Sequence, residues 1–132
     1  MKICVHRETG EEFAVKIIRN KNEAQESAEN EFFILQQLDH KNIVRPHELI
    51  KTEKDLFIVM ELVRGDELLS KLCNDGKFEE RLSRKLFKQV LKALKHMKDR
   101  GVCHRDIKPN NILVIDGKEE VKIMDFNISK FC

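Results

Sequence analysis

The chain has 132 residues, 41% of them apolar and 36% charged, with a net charge of +2. That length holds one domain with a core of its own, and the interspersed charges leave no basic stripe of the kind that grips nucleic acid. No apolar run approaches the roughly 20 residues of a membrane span, and the N-terminus lacks the apolar stretch of a secretory signal.

The elements follow in chain order. Residues 3–6 read as the end of a strand, and residues 8–11 as a turn in which Gly10 is free to take positive φ. Residues 13–18 alternate, which puts Ala14, Lys16 and Ile18 on one face of a strand. Residues 24–38 have helical periodicity, with a stripe through Ala28, Phe32, Leu35 and Leu38. Glu23 and Glu26 sit in its first turns, where the helix dipole favours acids. Glu31 faces inward one turn before Leu35 and is costly there unless paired; Lys16 is the expected partner. Residues 47–52 and 56–61 read as a hairpin closed by Glu53-Lys54-Asp55, and Gly65-Asp66 as a break. The longest helix spans residues 81–100, with a broad apolar stripe (Leu86, Phe87, Val90, Leu91, Leu94, Met97) expected to be core and Gly101 as its left-handed cap. Residues 112–115 and 121–124 flank Asp116-Gly117 as a hairpin, with Asn111 at one end and Asp125 at the other. Cys4, Cys73, Cys103 and Cys132 lie far apart, without a CxxC metal pattern or the spacing of a secreted disulfide framework. A reducing, intracellular location, cytoplasmic rather than secreted, is expected.

Residues 104–111 read HRDIKPNN. Five fixed residue types at fixed spacing arise by chance at on the order of one site in a million, so a merely polar turn is the weaker reading. The stretch resembles the catalytic loop of eukaryotic protein kinases. Four further motifs stand in that family's order. Phe13-Ala14-Val15-Lys16-Ile17-Ile18 resembles its third strand, and Glu31-Phe32-Phe33-Ile34-Leu35 the middle of its helix C. Residues 56–62, LFIVMEL, resemble the fifth strand entering the hinge, and Asp125-Phe126-Asn127 stands where the family has Asp-Phe-Gly. Lys108 in an HRD-x-K-P context resembles serine/threonine kinases, and ETGEEFAVKII with HKNIV is similar to the calcium/calmodulin-dependent group.

The resemblance implies an α+β fold, part of the bilobal kinase architecture. Residues 1–63 would be N-lobe and hinge, an antiparallel sheet with helix C and without the family's first strand. Residues 64–132 would be the first half of the helical C-lobe. It implies ATP and Mg²⁺ as cofactors and a protein substrate with a Ser/Thr hydroxyl. Asp106 would orient that hydroxyl, Lys108 offset charge on the γ-phosphate, and Lys16, braced by Glu31, hold the α and β phosphates. Asn111 and Asp125 would ligate Mg²⁺. Ala14, Met60 and Leu113 would enclose adenine, Glu61 and Val63 would meet its edge through backbone groups with side chains of little consequence, and Glu67 would reach the ribose.

Three departures accompany these matches. Asn127 replaces the usual glycine, where tolerance of left-handed geometry is expected to matter. Asn110 replaces a glutamate common in kinases directed to basic substrates. Pro46 stands where a leucine often completes a stack with Leu35, His104 and Phe126. Matched to the family, Met1 falls just after the glycine-rich loop and Cys132 before the activation segment, so a bared apolar patch and sheet edge are expected. The alternative is a catalytically inactive kinase-like binding module that pairs with a partner kinase or regulatory protein; a small-molecule phosphotransferase fits the IKPNN continuation less well.

Overall fold

In the computed structural model, which describes residues 1–19 and 22–132, the alternating segments form an antiparallel sheet. Strand β1 (Lys2–Val5) pairs with β2 (Glu12–Arg19), and Gly10 supplies a φ of +73° in the turn between them. On its other edge β2 pairs with β4 (Asp55–Glu61), which in turn pairs with β3 (Pro46–Lys51), in the order β1-β2-β4-β3. Thr52 closes the β3–β4 hairpin: its hydroxyl donates to the Asp55 carbonyl and accepts from the Asp55 N–H, each at 3.0 Å. The ladder slips register between Pro46 and Glu48. A proline has no N–H to give a ladder, and the start of a strand beside a bulge tolerates that loss.

Helix α1 (Asn22–Gln36) packs on this sheet through Ala28, Phe32 and Leu35, with Leu38 buried just beyond it. It begins two residues before the periodicity does. Next in the chain come β5 (Gly65–Glu67), α2 (Leu68–Asp75), α3 (Glu80–Asp99), β6 (Val102–Cys103), a 3₁₀ turn (Pro109–Asn111), β7 (Ile112–Ile115), β8 (Val121–Ile123) and β9 (Lys130–Phe131). Strands β5, β7 and β8 form one small sheet, and β6 pairs with β9. Gly101 follows α3 with φ +66°, the left-handed cap expected of it. Among the described residues no helix is long and apolar enough to cross a membrane.

One core runs through both halves. Ile34, Leu35, Leu56 and Ile58 belong to the same buried cluster as Met97, Val121, Ile123 and Phe126. The connection after α1 makes this possible, because Ile43 bridges to Ile123 in parallel fashion. The Ile123 N–H donates to the Asn42 carbonyl at 2.8 Å, and the Val44 N–H donates to the Ile123 carbonyl at 3.0 Å.

The structure corrects three expectations. Gly65-Asp66 is not a break; it lies in β5, paired with Ile115 and Val114. Glycine is required there for closeness rather than freedom, since a Cβ on residue 65 would sit 2.1 Å from the Val114 carbonyl oxygen. The stripe on α3, expected to be core, is so on one face only: Leu86, Val90 and Met97 are buried, whereas Phe87 is 62% and Leu91 49% exposed, in keeping with the bared apolar patch also expected. Residues 87 and 91 each follow a buried one, and a helix turns about 100° per residue. Finally, the four cysteines are not all apart, because β6 and β9 join Cys103 to Cys132.

Gly65→Ala is expected to lower stability by about 2–3 kcal/mol through overpacking. Gly117→Ala, at φ +67° in open space, should cost only about 1 kcal/mol of left-handed strain. Urea denaturation of both variants checks the order.

Candidate active site

Strand β2 sets Lys16 opposite Ile58 of β4, and α1 brings Glu31 over it. Lys16 Nζ donates to Glu31 Oε2 at 2.6 Å. The Glu31 side chain is 3% exposed and that of Lys16 30%, so the carboxylate depends on this cation for compensation.

The pair lies at the polar end of a cleft of about 380 Å³, within the size range of small-molecule sites. Ala14, Met60 and Leu113 line its apolar part, Glu61 and Val63 one rim, and Asp125 joins Lys16 and Glu31 at the polar end. Glu67 is not in the lining. It ends β5 opposite Leu113, just ahead of α2.

Asp106, Lys108 and Asn111 are also outside that lining and form a second cluster. Asn111 Nδ2 donates to the Asp106 carbonyl at 2.8 Å and to its Oδ2 at 3.0 Å. Lys108 Nζ lies 3.0 Å from the same Oδ2. The Lys108 hydrogen bond, then the Asn111 amide, hold the Asp106 carboxyl below its ordinary range. The Met124 N–H donates to the Asn111 carbonyl at 3.0 Å, so the second cluster is tied to the residue preceding Asp125.

Arg105 and Asp125 take φ of +69° and +63°, the two left-handed residues other than glycine among those described. Such geometry costs on the order of 1 kcal/mol each and gathers at functional sites. The left-handed position is thus Asp125, not Asn127 as expected; Asn127 meets no such demand and offers its carbonyl to Ser27 Oγ at 2.8 Å. Asp125 Oδ1 is buried without a hydrogen-bond partner. A bare carboxylate oxygen inside a cleft suits a cation. No group of three His, Cys, Asp or Glu side chains among the described residues could hold one unaided. Asp125 and the amide oxygen of Asn111 would therefore share it with oxygens of a bound ligand, and hard oxygen donors of this kind fit Mg²⁺.

His104 supports the loop from below. The Asp106 N–H donates to its Nδ1 at 3.2 Å, and its Nε2 is 3.0 Å from the Met124 carbonyl. An acceptor at Nδ1 and a donor at Nε2 define the neutral tautomer. Burial pushes its pKa below the usual histidine value, against the pull of the Met124 carbonyl. Its ring meets Phe126 edge to face at 4.5 Å between centroids. Leu35 and Phe126 share the core, but Pro46, expected to complete this stack, is half-buried and outside it.

Several contacts were not foreseen. Glu61 matters through its side chain, contrary to expectation: its Oε1 accepts from Lys122 Nζ at 2.6 Å and from the Arg45 N–H at 2.8 Å. Asn30 Nδ2 donates to the Ser129 carbonyl at 3.1 Å, and Arg105 Nε to the Ile128 carbonyl at 2.6 Å. Ser27 and Asn30, one turn apart on α1, were the available signal, a polar edge beside the apolar stripe.

Comparison with known proteins agrees with this arrangement. The protein kinase domain family matches residues 1–132, and the chain belongs to that family. It is 39% identical to a probable serine/threonine-protein kinase, fhkD, of Dictyostelium discoideum, over 98% of this chain and 19% of that protein. It is 38% identical to CBL-interacting protein kinase 21 of Oryza sativa subsp. japonica, over 98% and 25% respectively. Against the mouse serine/threonine-protein kinase DCLK3 the identity is 35%, over 99% and 17%. The chain thus spans a quarter or less of the length of these relatives, and the resemblance to serine/threonine protein kinases covers nearly all of it.

Lys16→Met is expected to destabilise the fold by about 2 kcal/mol, less than for a fully buried pair because Lys16 is partly exposed. Lys16→Met combined with Glu31→Leu should recover most of that loss in denaturant titrations. A second expectation concerns pH. With its folded pKa depressed, His104 contributes stability that is present above the unfolded value and is lost as pH falls through the folded one. His40 shares the direction, chiefly through burial. The melting temperature should therefore fall as pH drops below about 6.5, and fall less steeply in His104→Gln and His40→Gln.

Proposed function

We propose that the protein carrying this chain transfers the γ-phosphate of ATP to Ser/Thr hydroxyls of protein substrates. The observation that carries the reading is convergence. Lys16, Glu31 and Asp125, separated by up to 109 positions in sequence, line one cleft, and the Asp106–Lys108–Asn111 cluster is tied to the residue before Asp125.

Asp106 accepts the hydroxyl of the substrate and aims its oxygen, a role for a strongly ionised carboxylate that orients more than it deprotonates. Lys108 is exposed and leaves Asp106 to neutralise the transferring phosphoryl group. Lys16 holds the α and β phosphates, and Glu31 keeps its ammonium at the cleft wall. The backbone at Glu61 and Val63 meets the adenine edge, between Ala14 and Leu113, with Met60 behind. Asn111 and Asp125 would hold Mg²⁺, which when bound supplies positive charge to the phosphate oxygens. Glu67, outside the cleft lining, has no part in this reading. Dependence on ATP is in keeping with a cytoplasmic place of action.

A second reading, a binding module that pairs with a regulatory protein or another kinase, is favoured by the exposed Phe87 and Leu91 on α3. The plant relatives' names, CBL-interacting kinases, point to a regulatory partner as well.

The experiment is peptide phosphorylation by the native protein, expressed tagged in its own cells, wild type against Asp106→Asn. Turnover should drop about 10³-fold while ATP half-saturation stays within about twofold, since Asp106 lies outside the nucleotide cleft. Equal turnover in the two proteins would sink the catalytic reading and leave the binding module.

A further inference from the structure

Strands β6 and β9 bring together two cysteines 29 positions apart. Cys103 stands opposite Lys130 in the ladder, and the Cys132 N–H donates to the Gly101 carbonyl at 2.8 Å. The cysteines are therefore diagonal neighbours on one side of an antiparallel pair. Their Cα atoms are 6.4 Å apart, a separation that a disulfide spans without backbone movement. Both are exposed, and they border an open cavity of about 470 Å³ that Lys98 and Arg105 also line. With Lys130 across the ladder, the surroundings are cationic and accessible, which is where thiols react. Cys4 and Cys73 are free.

The segment this pair would tether is lightly held. The β6–β9 ladder is two residues long. Phe126 is anchored in the core; beyond it and ahead of β9, the polar ties to the rest of the chain are single hydrogen bonds, from Ser27, Asn30 and Arg105 to carbonyls and from Ser129 Oγ to the His104 carbonyl. Each is worth about 1 kcal/mol net. A covalent link at Cys132 closes a loop that holds Asp106, Asn111 and Asp125 within it.

We propose that Cys103 and Cys132 form a reversible thiol–disulfide switch, closed by a peroxide and opened by a dithiol, that pins the segment after Asp125 to the strand before Asp106. In closing, one thiolate attacks a peroxide oxygen, the O–O bond breaks, and a sulfenic acid and one water result. The second thiolate attacks the sulfenic sulfur, the S–S bond forms, and a second water leaves. The two thiols lose two electrons and the peroxide gains them. In opening, a dithiol exchanges through a mixed disulfide and is itself oxidised. Control of phosphoryl transfer by this closure rests on the proposed function; the closure itself does not.

The test treats the full chain with hydrogen peroxide and maps its peptides by mass spectrometry without reduction. A peptide pair joining Cys103 to Cys132 is expected, short by two hydrogens, lost on treatment with dithiothreitol and absent from Cys103→Ser and Cys132→Ser. Cys4 and Cys73 should remain open to alkylation. Hydrogen exchange at the amides of residues 128–132 should slow about tenfold on oxidation and recover on reduction. Full alkylation of Cys103 and Cys132 after peroxide, cross-links to Cys73 in equal yield, or exchange unchanged by the link would each overturn the proposal. None of these readouts uses nucleotide, so their failure is distinct from failure of the kinase reading. Mapping of the unaltered chain needs no variant to fold.

Discussion

The docking of residues 42–44 onto β8 is the constraint from which the remaining geometry follows. Asn42 Nδ2 donates to the Val121 carbonyl at 2.8 Å and to Gln89 Oε1 at 2.9 Å. Gln89 in turn accepts from the Val121 N–H at 3.1 Å and donates from Nε2 to the Glu119 carbonyl at 2.8 Å. These groups are buried, with Asn42 Oδ1 left without a partner, and a polar network inside a core favours one arrangement because others leave more of its members unpaired. The connection after α1, the helix α3 and the β7–β8 hairpin are thereby fixed to one another. Glu31 on α1 and Asp125 after β8 are thereby brought to the lining of one cleft.

Within the site, burial and strain fall on different residues. Glu31 is buried and compensated by Lys16, so it stabilises a position rather than offering a reactive group. Asp125 is strained in φ and has a buried oxygen with no partner, the opposite condition, and such a group is poised for a ligand. Asp106 is exposed enough for two neighbours to keep it ionised. Three carboxylates thus stand in three environments.

The rim of the cleft is held from outside. Lys122 and the Arg45 N–H both engage the Glu61 carboxylate, so the end of β4 is tied to β8 and to the residue ahead of β3. The segment after Asp125 is tied instead to α1 by Ser27 and Asn30. A shift of α1 would move Glu31 and that segment together, because one helix carries both contacts.

Periodicity was enough for β2, α1 and α3, each long enough to repeat its apolar spacing, and turn residues marked the β3–β4 and β7–β8 hairpins. The HRDIKPNN loop was legible because its residue types are set by chemistry rather than by packing. The two- and three-residue strands β5, β6 and β9 carry no repeat to read. Phe87 and Leu91 read as core from sequence because apolar character marks a face as willing to be buried, not as covered. Local sequence determined which residues could meet water, turn or cap; the approach of Gly65 to Val114, the Glu61–Lys122 pair and the meeting of Cys103 with Cys132 were decided by tertiary structure. Each joins segments 29 to 61 positions apart, and contacts at that range are fixed by how whole elements pack, which no local window contains.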